Sequence, residues 1–144
     1  MRKWRLPLTY QPKIEPVLLG TCRQTIRIRT KNKKTGKLSP RKEVGDLIRF
    51  FLWSGRPYWS KQIDLTEYEP LKEALDIRIF PDGFVREHLP NHDGQIIPWR
   101  STDAESLAVL DGIVPPTGAA LHDVLISKNG KIPAEGLEAQ ILRW

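Results

Sequence analysis

The sequence predicts a small α+β fold, a mostly antiparallel β-barrel flanked by two or three short helices. Several short segments alternate apolar and polar residues, as β-strands do, and two or three others have helical spacing or a helix-capping pattern. The 144 residues suit one domain with its own hydrophobic core, without an internal repeat or a tandem-domain linker. We therefore expect a single domain spanning residues 1–144.

The first third of the chain is predicted to contain two strands and a short helix. Residues Trp4–Tyr10 alternate, with Pro7 suited to an edge or a bend. The segment that follows has apolar residues at helical spacing and ends in Gly20, a typical helix stop. Residues Gln24–Thr30 alternate strictly and predict the second strand.

The middle third is predicted to contain a basic loop, a central strand and a hairpin. Residues 31–42 lack apolar periodicity and read as a mobile loop, whereas Leu47–Trp53 follows a Gly-Asp turn and is strongly β-prone. The hairpin joins strands Asp76–Phe80 and Phe84–Glu87 through Pro81-Asp82-Gly83.

The last third is predicted to contain two helices and a closing strand. Thr102 and Glu105 form a capping-box pattern before a helix over Asp103–Leu110. A second helix is expected over Thr117–Ile126, and residues 136–144 close the chain as a strand.

The cysteine content and the apolar pattern indicate a cytoplasmic protein. Cys22 is the single cysteine, so no intramolecular disulfide and no CxxC zinc or redox site can form. No apolar run approaches the ~18 residues of a membrane span, and the charged start lacks a secretory signal. We expect a bacterial protein, or a phage protein in its host, with no membrane partner.

The charge distribution predicts a polyanionic partner. The net charge is +6, but residues 1–42 carry thirteen Lys or Arg and one acid, whereas the rest carries ten Lys or Arg and sixteen acids. Clustered Lys and Arg favour phosphate neutralisation and counterion release. The alternative is a solvated basic surface that only keeps the protein soluble.

Two parts of the basic region differ in the geometry they offer. The strand places Thr25, Arg27 and Arg29 on one face, opposite Ile26 and Ile28, and a guanidinium can grip phosphate or stack on a base. Alternatively, one of these arginines pairs with a carboxylate such as Asp46 or Asp111. The loop lysines supply charge without fixed geometry and suit backbone phosphates.

An aromatic cluster follows the central strand. In "WSGRPYWSKQ", residues 53–62, three aromatic residues alternate with Arg56 and Lys61. Aromatic rings beside cations are typical of sites that hold single-stranded RNA or a flipped base. Trp53 ends an apolar strand and is expected to pack in the core, whereas Tyr58 and Trp59 follow a turn that exposes its neighbours.

These features in order resemble an ASCH domain of the PUA-like superfamily, in its compact phage or bacterial form. The family's opening signature resembles G-x-K-T-x-T-I-R and stands here as Gly20-Thr21-Cys22-Arg23-Gln24-Thr25-Ile26-Arg27. The Gly45-Asp46 step, the basic turn at 53–62, Asp111-Gly112-Ile113 and the closing "GLEAQILRW" also resemble the family. The resemblance covers nearly the whole chain.

The resemblance implies a PUA-like β-barrel whose cleft accommodates RNA or a modified nucleoside. One bacterial branch of the family removes the acetyl group from N4-acetylcytidine with a Lys, a Thr and a Glu. Thr25 matches the threonine, but Cys22 stands in the lysine position and the glutamate has no clear counterpart. A thiol does not act as a general base in the way a desolvated lysine does. The departure favours binding over catalysis.

The sequence thus predicts binding of RNA or a modified nucleotide, with DNA possible and no cofactor. The alternatives are a hydrolase acting on RNA or an N4-acylated cytidine, either an amidohydrolase or a ribonuclease, and a phage protein-interaction module. Catalytic candidates are Thr25, Lys61 and Asp111, and a less favoured one is Cys22 as a nucleophile. No metal site is predicted, because His88, His92 and Asp93 lack helical metal-ligand spacing. The predicted nucleic-acid-binding residues are Arg23, Thr25, Arg27, Arg29, Lys31, Lys33, Lys34, Lys37, Arg41, Lys42, Arg56, Tyr58, Trp59 and Lys61.

Overall fold

The computed structural model describes residues 1–86, 96–99 and 102–144. Within them the chain forms three helices and nine strands. The helices are α1 (Gln11–Leu18), α2 (Thr102–Leu110) and α3 (Gly118–Asn129). The strands are β1 (Lys3–Pro7), β2 (Gln24–Ile28), β3 (Leu47–Trp53), β4 (Gln62–Asp64), β5 (Glu69–Pro70), β6 (Glu73–Phe80), β7 (Gly83–Arg86), β8 (Ile97–Pro98) and β9 (Leu137–Arg143).

The strands form two sheets, and all pairs except one are antiparallel. The first sheet has the order β1-β3-β4, with β5 also pairing with β3, and β1 runs parallel to β3. The second sheet has the order β2-β9-β6-β7-β8. The predicted α+β class with mostly antiparallel strands is confirmed, whereas the described strands do not close into one barrel.

Two apolar clusters lie on opposite faces of the second sheet, because neighbouring residues of a strand point to opposite faces. Ile141 of β9 belongs to the cluster that packs against α2 and α3, together with Leu107 and Leu121. Leu142, the next residue of β9, belongs to the cluster that packs against Ile48 and Phe50 of the first sheet. The second sheet is therefore covered on both faces.

Most predicted elements are present, with shifted ends. Strand β1 ends at Pro7 rather than Tyr10, and α3 continues to Asn129 after Thr117 caps it by accepting a hydrogen bond from the Ala120 N–H. Of the predicted hairpin, β6 and β7 form as expected, but Glu87 lies outside the described residues. None of the three described helices is both long and apolar enough to cross a membrane.

The basic segment predicted to be a mobile loop contains a hydrogen-bonded turn. Lys31 and Leu38 form an isolated antiparallel bridge, and the Asn32 N–H donates to the Lys37 carbonyl at 2.8 Å. The Asn32 side chain accepts from the backbone N–H groups of Lys34 and Thr35, as an Asx turn does. The turn therefore presents its lysines on an organised backbone.

Candidate ligand-binding cavity

A cavity of about 160 Å³ lies beside the edge strand β2. Its wall is formed by β2, by the start of α1 and the residues before it, by the chain that leaves α2, and by α3. Seven of its lining residues are apolar and five are polar or charged. The apolar lining consists of Leu8, Ile26, Ile28, Ile113, Leu121, Val124 and Leu125. The polar lining consists of Tyr10, Lys13, Thr25, Arg27 and Asp111.

A buried ion pair forms part of the cavity wall. The Lys13 Nζ lies 3.0 Å from Asp111 Oδ2, and the two side chains are 4% and 9% exposed. Burial lowers the pKa of Lys13 below its ordinary value, and the charge of Arg27 adds to this effect, while Asp111 opposes it. The cavity therefore contains a desolvated amine beside a carboxylate.

Local structure explains how this pair is positioned. Lys13 and Val17 lie one helical turn apart on the buried face of α1, while Leu18 and Leu19 are exposed. Asp111 directly follows α2, and its N–H donates to the Leu107 carbonyl, while Gly112 adopts the left-handed conformation that is common just after a helix. The ion pair thus joins the buried face of α1 to the end of α2.

Arg27 supplies a second cation to the cavity. Its Nε is buried and has no hydrogen-bond partner among the residues that the structure describes. Its guanidinium lies 5.9 Å from the centre of the Phe50 ring. Burial lowers the pKa of Arg27 to about 10, partly offset by Asp111, so the group remains charged at neutral pH. A buried cationic donor without a partner favours an oxygen acceptor from a ligand.

Thr25 lies two residues before Arg27 on the same face of β2, and it is 4% exposed. The neighbouring Gln24 fixes the strand, since its side chain donates to the Leu107 carbonyl and accepts from Arg143 Nε. The hydroxyl of Thr25 is therefore held on a rigid element. The structure brings three sequence-predicted residues, Thr25, Arg27 and Asp111, to one cavity.

The main chain of β2 also faces this region. The Arg29 N–H donates to the Glu138 carbonyl, and the Trp144 N–H donates to the Arg23 carbonyl. In the antiparallel register of β2 and β9, hydrogen-bonded and non-hydrogen-bonded residues alternate. The odd-numbered residues of β2 therefore direct their backbone N–H and C=O groups towards β9. The peptide groups of Ile26 and Ile28 therefore point away from β9, along an edge with which no other described strand pairs.

Cys22 is a packing residue beside this site rather than part of its lining. It is 3% exposed, belongs to the apolar cluster between the sheets, and its Sγ lies 3.5 Å from the Leu110 carbonyl. Burial raises the pKa of its thiol, and Asp111 contributes, while Lys13 opposes the shift. The thiol is therefore kept protonated, which disfavours Cys22 as a nucleophile.

Lys61 does not join the other catalytic candidates. It is exposed at the β3–β4 hairpin, where its carbonyl accepts from the Ser54 N–H, and it is not among the cavity-lining residues. The lysine beside Thr25 and Asp111 is Lys13, which the sequence analysis did not select. Its signal was the i, i+4 relation to Val17, which places a lysine on the buried stripe of a short helix.

Several predicted phosphate contacts are engaged in internal pairs. Arg23 pairs with Glu69 and donates to the Trp144 carbonyl, Arg29 donates to the Ser39 carbonyl and Glu138, and Arg41 pairs with Asp76. Lys42 lies 4.6 Å from the centre of the Trp4 ring, and burial, with Arg27 and Arg29, lowers its pKa. Four further predicted contacts are exposed in the turn: Lys31, Lys33, Lys34 and Lys37.

Within the described ranges, no three His, Cys, Asp or Glu side chains come together as a metal site would require. His88, His92 and Asp93 lie outside those ranges.

Comparisons of the chain with protein families, with curated proteins and with solved structures give no match. The cavity and its charges are therefore the basis for assigning a function.

Proposed function

We propose that the protein binds single-stranded RNA or a modified nucleotide by holding one base in the β2 cavity. The observation that supports this most is the buried Lys13–Asp111 ion pair, together with the buried Nε of Arg27, in the wall of a cavity of about 160 Å³. The cavity offers cationic donors, a carboxylate acceptor and main-chain groups in a partly apolar wall. This is the combination that fixes a small polar ligand in one orientation.

The cavity volume supports a single heterocyclic ring. An engineered apolar cavity of about 150 Å³ binds benzene, and the cavity here is of similar size. A pyrimidine base is close to that volume, whereas a whole nucleotide is not. The sugar and phosphate of the ligand therefore remain outside the cavity.

The polar groups match the edge of a pyrimidine. A ring carbonyl accepts from Arg27, whose pKa of about 10 keeps it charged. An exocyclic amino group donates to the Asp111 carboxylate, which also pairs with Lys13. The outward peptide groups of Ile26 add a donor and an acceptor beside these side chains.

The proposal includes membership of the ASCH branch of the PUA-like superfamily. Thr25 and Arg27, the last part of the signature that resembles the family, both lie in the cavity wall. The Gly45-Asp46 step directly precedes strand β3, as the resemblance implies. The exposed lysines of the 31–38 turn then contact backbone phosphates.

The test is equilibrium binding of nucleosides and RNA oligonucleotides to cavity variants. Arg27→Gln removes the guanidinium donors and is expected to weaken binding of cytidine 5′-monophosphate by roughly tenfold or more. Arg27→Lys keeps the charge but loses the fork and is expected to be intermediate. Lys131→Gln, an exposed lysine elsewhere, is the matched control. Equal affinities in all four proteins contradict the proposal, provided that unfolding transitions show every variant folded.

A second candidate function is hydrolysis of an N4-acylated cytidine, favoured by the lowered pKa of Lys13 beside Thr25. In its unprotonated form, Lys13 takes a proton from water as the water oxygen attacks the acyl carbonyl. The cytidine amino group then leaves with that proton, and the carboxylic acid is released. This candidate assigns the proton transfer to Lys13 rather than to Lys61, the lysine among the sequence-based catalytic candidates, because Lys61 is not in the cavity.

Chromatography of N4-acetylcytidine after incubation tests this candidate. Cytidine is expected to form with the wild type and with Lys61→Met, but not with Lys13→Met. No product with the wild type, or equal product with Lys13→Met, excludes Lys13-dependent hydrolysis.

A further inference from the structure

The tip of the β3–β4 hairpin, residues 54–61, exposes two large aromatic side chains. Tyr58 is 87% exposed and Trp59 is 81% exposed. Exposing large aromatic side chains to water is unfavourable, and adjacent exposed ones are typical of a binding surface. The tip also carries Arg56 and Lys61 and no acid, so its charge complements phosphate.

The tip is a built element rather than a loose loop. The Gly55 N–H donates to Ser60 Oγ at 3.0 Å, and the Ser60 hydroxyl donates to the Arg56 carbonyl at 2.8 Å. The Ser54 N–H and the Trp59 N–H donate to carbonyls across the turn as well. These bonds hold Tyr58 at a φ of 67°, in the left-handed region that a bulky residue rarely adopts. Such strain clusters at functional sites.

The rings are arranged for stacking. The Trp53 and Tyr58 ring centres are 5.2 Å apart, so half-buried Trp53 supports the exposed Tyr58 ring. The Arg56 guanidinium lies 5.5 Å from the Trp59 ring centre. A ring beside a guanidinium is the combination on which successive bases of a single strand stack.

The hairpin tip and the cavity-lining residues that follow β1 lie at the same edge of the first sheet. Strands β1 and β3 are parallel, with Pro7 opposite Phe51 and the Leu8 N–H donating to the Phe51 carbonyl. The chain after β1 continues to Tyr10, which lines the cavity, while the chain after β3 continues into the tip. Because parallel strands end at the same edge of a sheet, both features lie at that edge.

We propose that the hairpin tip is a second base-binding subsite, where Trp59 and Tyr58 stack on a base neighbouring the one held in the cavity. This inference rests on the proposed function and specifies its ligand as a strand of several nucleotides rather than a free nucleoside. The tip then increases affinity through the linkage of two weak contacts on one strand.

The test compares two probes, hexacytidylate RNA and cytidine 5′-monophosphate, with wild type, Trp59→Ala, Trp59→Phe and Leu19→Ala. Leu19 is a matched exposed apolar residue, 70% exposed, at the end of α1. We expect Trp59→Ala to weaken hexamer binding by roughly 5- to 150-fold and to leave monophosphate binding unchanged. Trp59→Phe retains most of the hexamer affinity, and Leu19→Ala retains all of it.

Three outcomes overturn the inference. Hexamer affinity unchanged in Trp59→Ala, with the wild type binding both probes, removes the subsite but leaves the proposed function standing. Equal weakening of both probes shows that Trp59 does not form a separate subsite. Trp59-dependent sedimentation with anionic vesicles, with RNA affinity unaffected, assigns the tip to a membrane surface. A wild type that binds neither probe contradicts the proposed function itself.

Discussion

Three side chains, those of Lys13, Arg27 and Asp111, give the cavity its electrostatic character. Two of them are basic and one is acidic, and Lys13 and Asp111 are almost fully buried. Charges taken out of water are costly unless they are paired, so the pair matters to stability as well as to the proposed ligand contacts.

At this scale we predict that Lys13→Met destabilises the protein by about 3–5 kcal/mol, because it leaves the Asp111 carboxylate buried without its lysine. The double variant Lys13→Met/Asp111→Asn is expected to regain part of that loss, since neither member of the ion pair remains charged, although Arg27 then loses the favourable charge of Asp111. Urea denaturation measures both free energies of unfolding. A double variant no more stable than the single one contradicts this account of the pair.

A second residue-scale prediction concerns Cys22. The thiol is 3% exposed and its pKa is raised by burial, so it should react with a thiol reagent in the folded protein far more slowly than in urea. Spectrophotometric titration with an aromatic disulfide at neutral pH measures both rates. Rapid reaction of the folded protein would instead restore Cys22 as a candidate nucleophile.

At the scale of the elements, Asp46 ties the amino-terminal strand to the rest of the first sheet. Its carboxylate accepts from the Arg2 N–H, from Trp4 Nε1 and from the Glu43 N–H, at 3.0, 2.9 and 3.1 Å. Burial opposes ionisation, but these hydrogen bonds prevail and lower the pKa of Asp46 below 3.8.

The lowered pKa of Asp46 predicts that acid reduces the folding stability of the protein. Because the pKa of Asp46 is lower in the folded state, its contribution to stability is complete above about pH 3.8 and is lost as the pH falls through the lowered value. Asp46→Asn is therefore expected to be less stable at pH 6 and to lose less stability between pH 5 and 2. Denaturant midpoints across that range measure the difference, and parallel pH profiles for the two proteins refute the assignment.

The second prediction at the scale of the elements concerns the turn formed by residues 31–38. Changing Lys33, Lys34 and Lys37 to Gln is expected to flatten the salt dependence of RNA binding, since each lost phosphate contact removes about 0.7 from the logarithmic slope for a single strand. Folding stability should change little, because the three lysines are exposed. Affinities between 50 and 300 mM salt measure the slope. An unchanged slope would show that the turn does not contact phosphates.

At the scale of the whole molecule, the basic amino-terminal third and the acidic remainder meet through internal ion pairs. Arg23, Arg29 and Arg41, which the charge pattern assigned to phosphates, are each paired with a carboxylate. Composition shows an excess of charge but not which cations fold against acids distant in sequence. The lysines of the turn belong to the same pattern and are exposed.

The sequence predicted local features of the chain but not contacts between residues that are distant in sequence. Strict alternation placed β2 and the shared face of Thr25 and Arg27, and the capping box placed α2. The short strands β4, β5 and β8, of two or three residues, have no periodicity to detect. The Lys13–Asp111 pair joins residues 98 positions apart, so tertiary packing alone brings them together.

The central claim is that one base enters the β2 cavity. Amide and arginine side-chain resonances in ¹⁵N-labelled protein, titrated with cytidine 5′-monophosphate, test it most directly. We predict saturable shifts concentrated at Thr25, Ile26, Arg27 and Asp111, including the Arg27 Nε–H. Shifts confined to the 31–38 turn, with the cavity resonances unmoved at saturation, would contradict it.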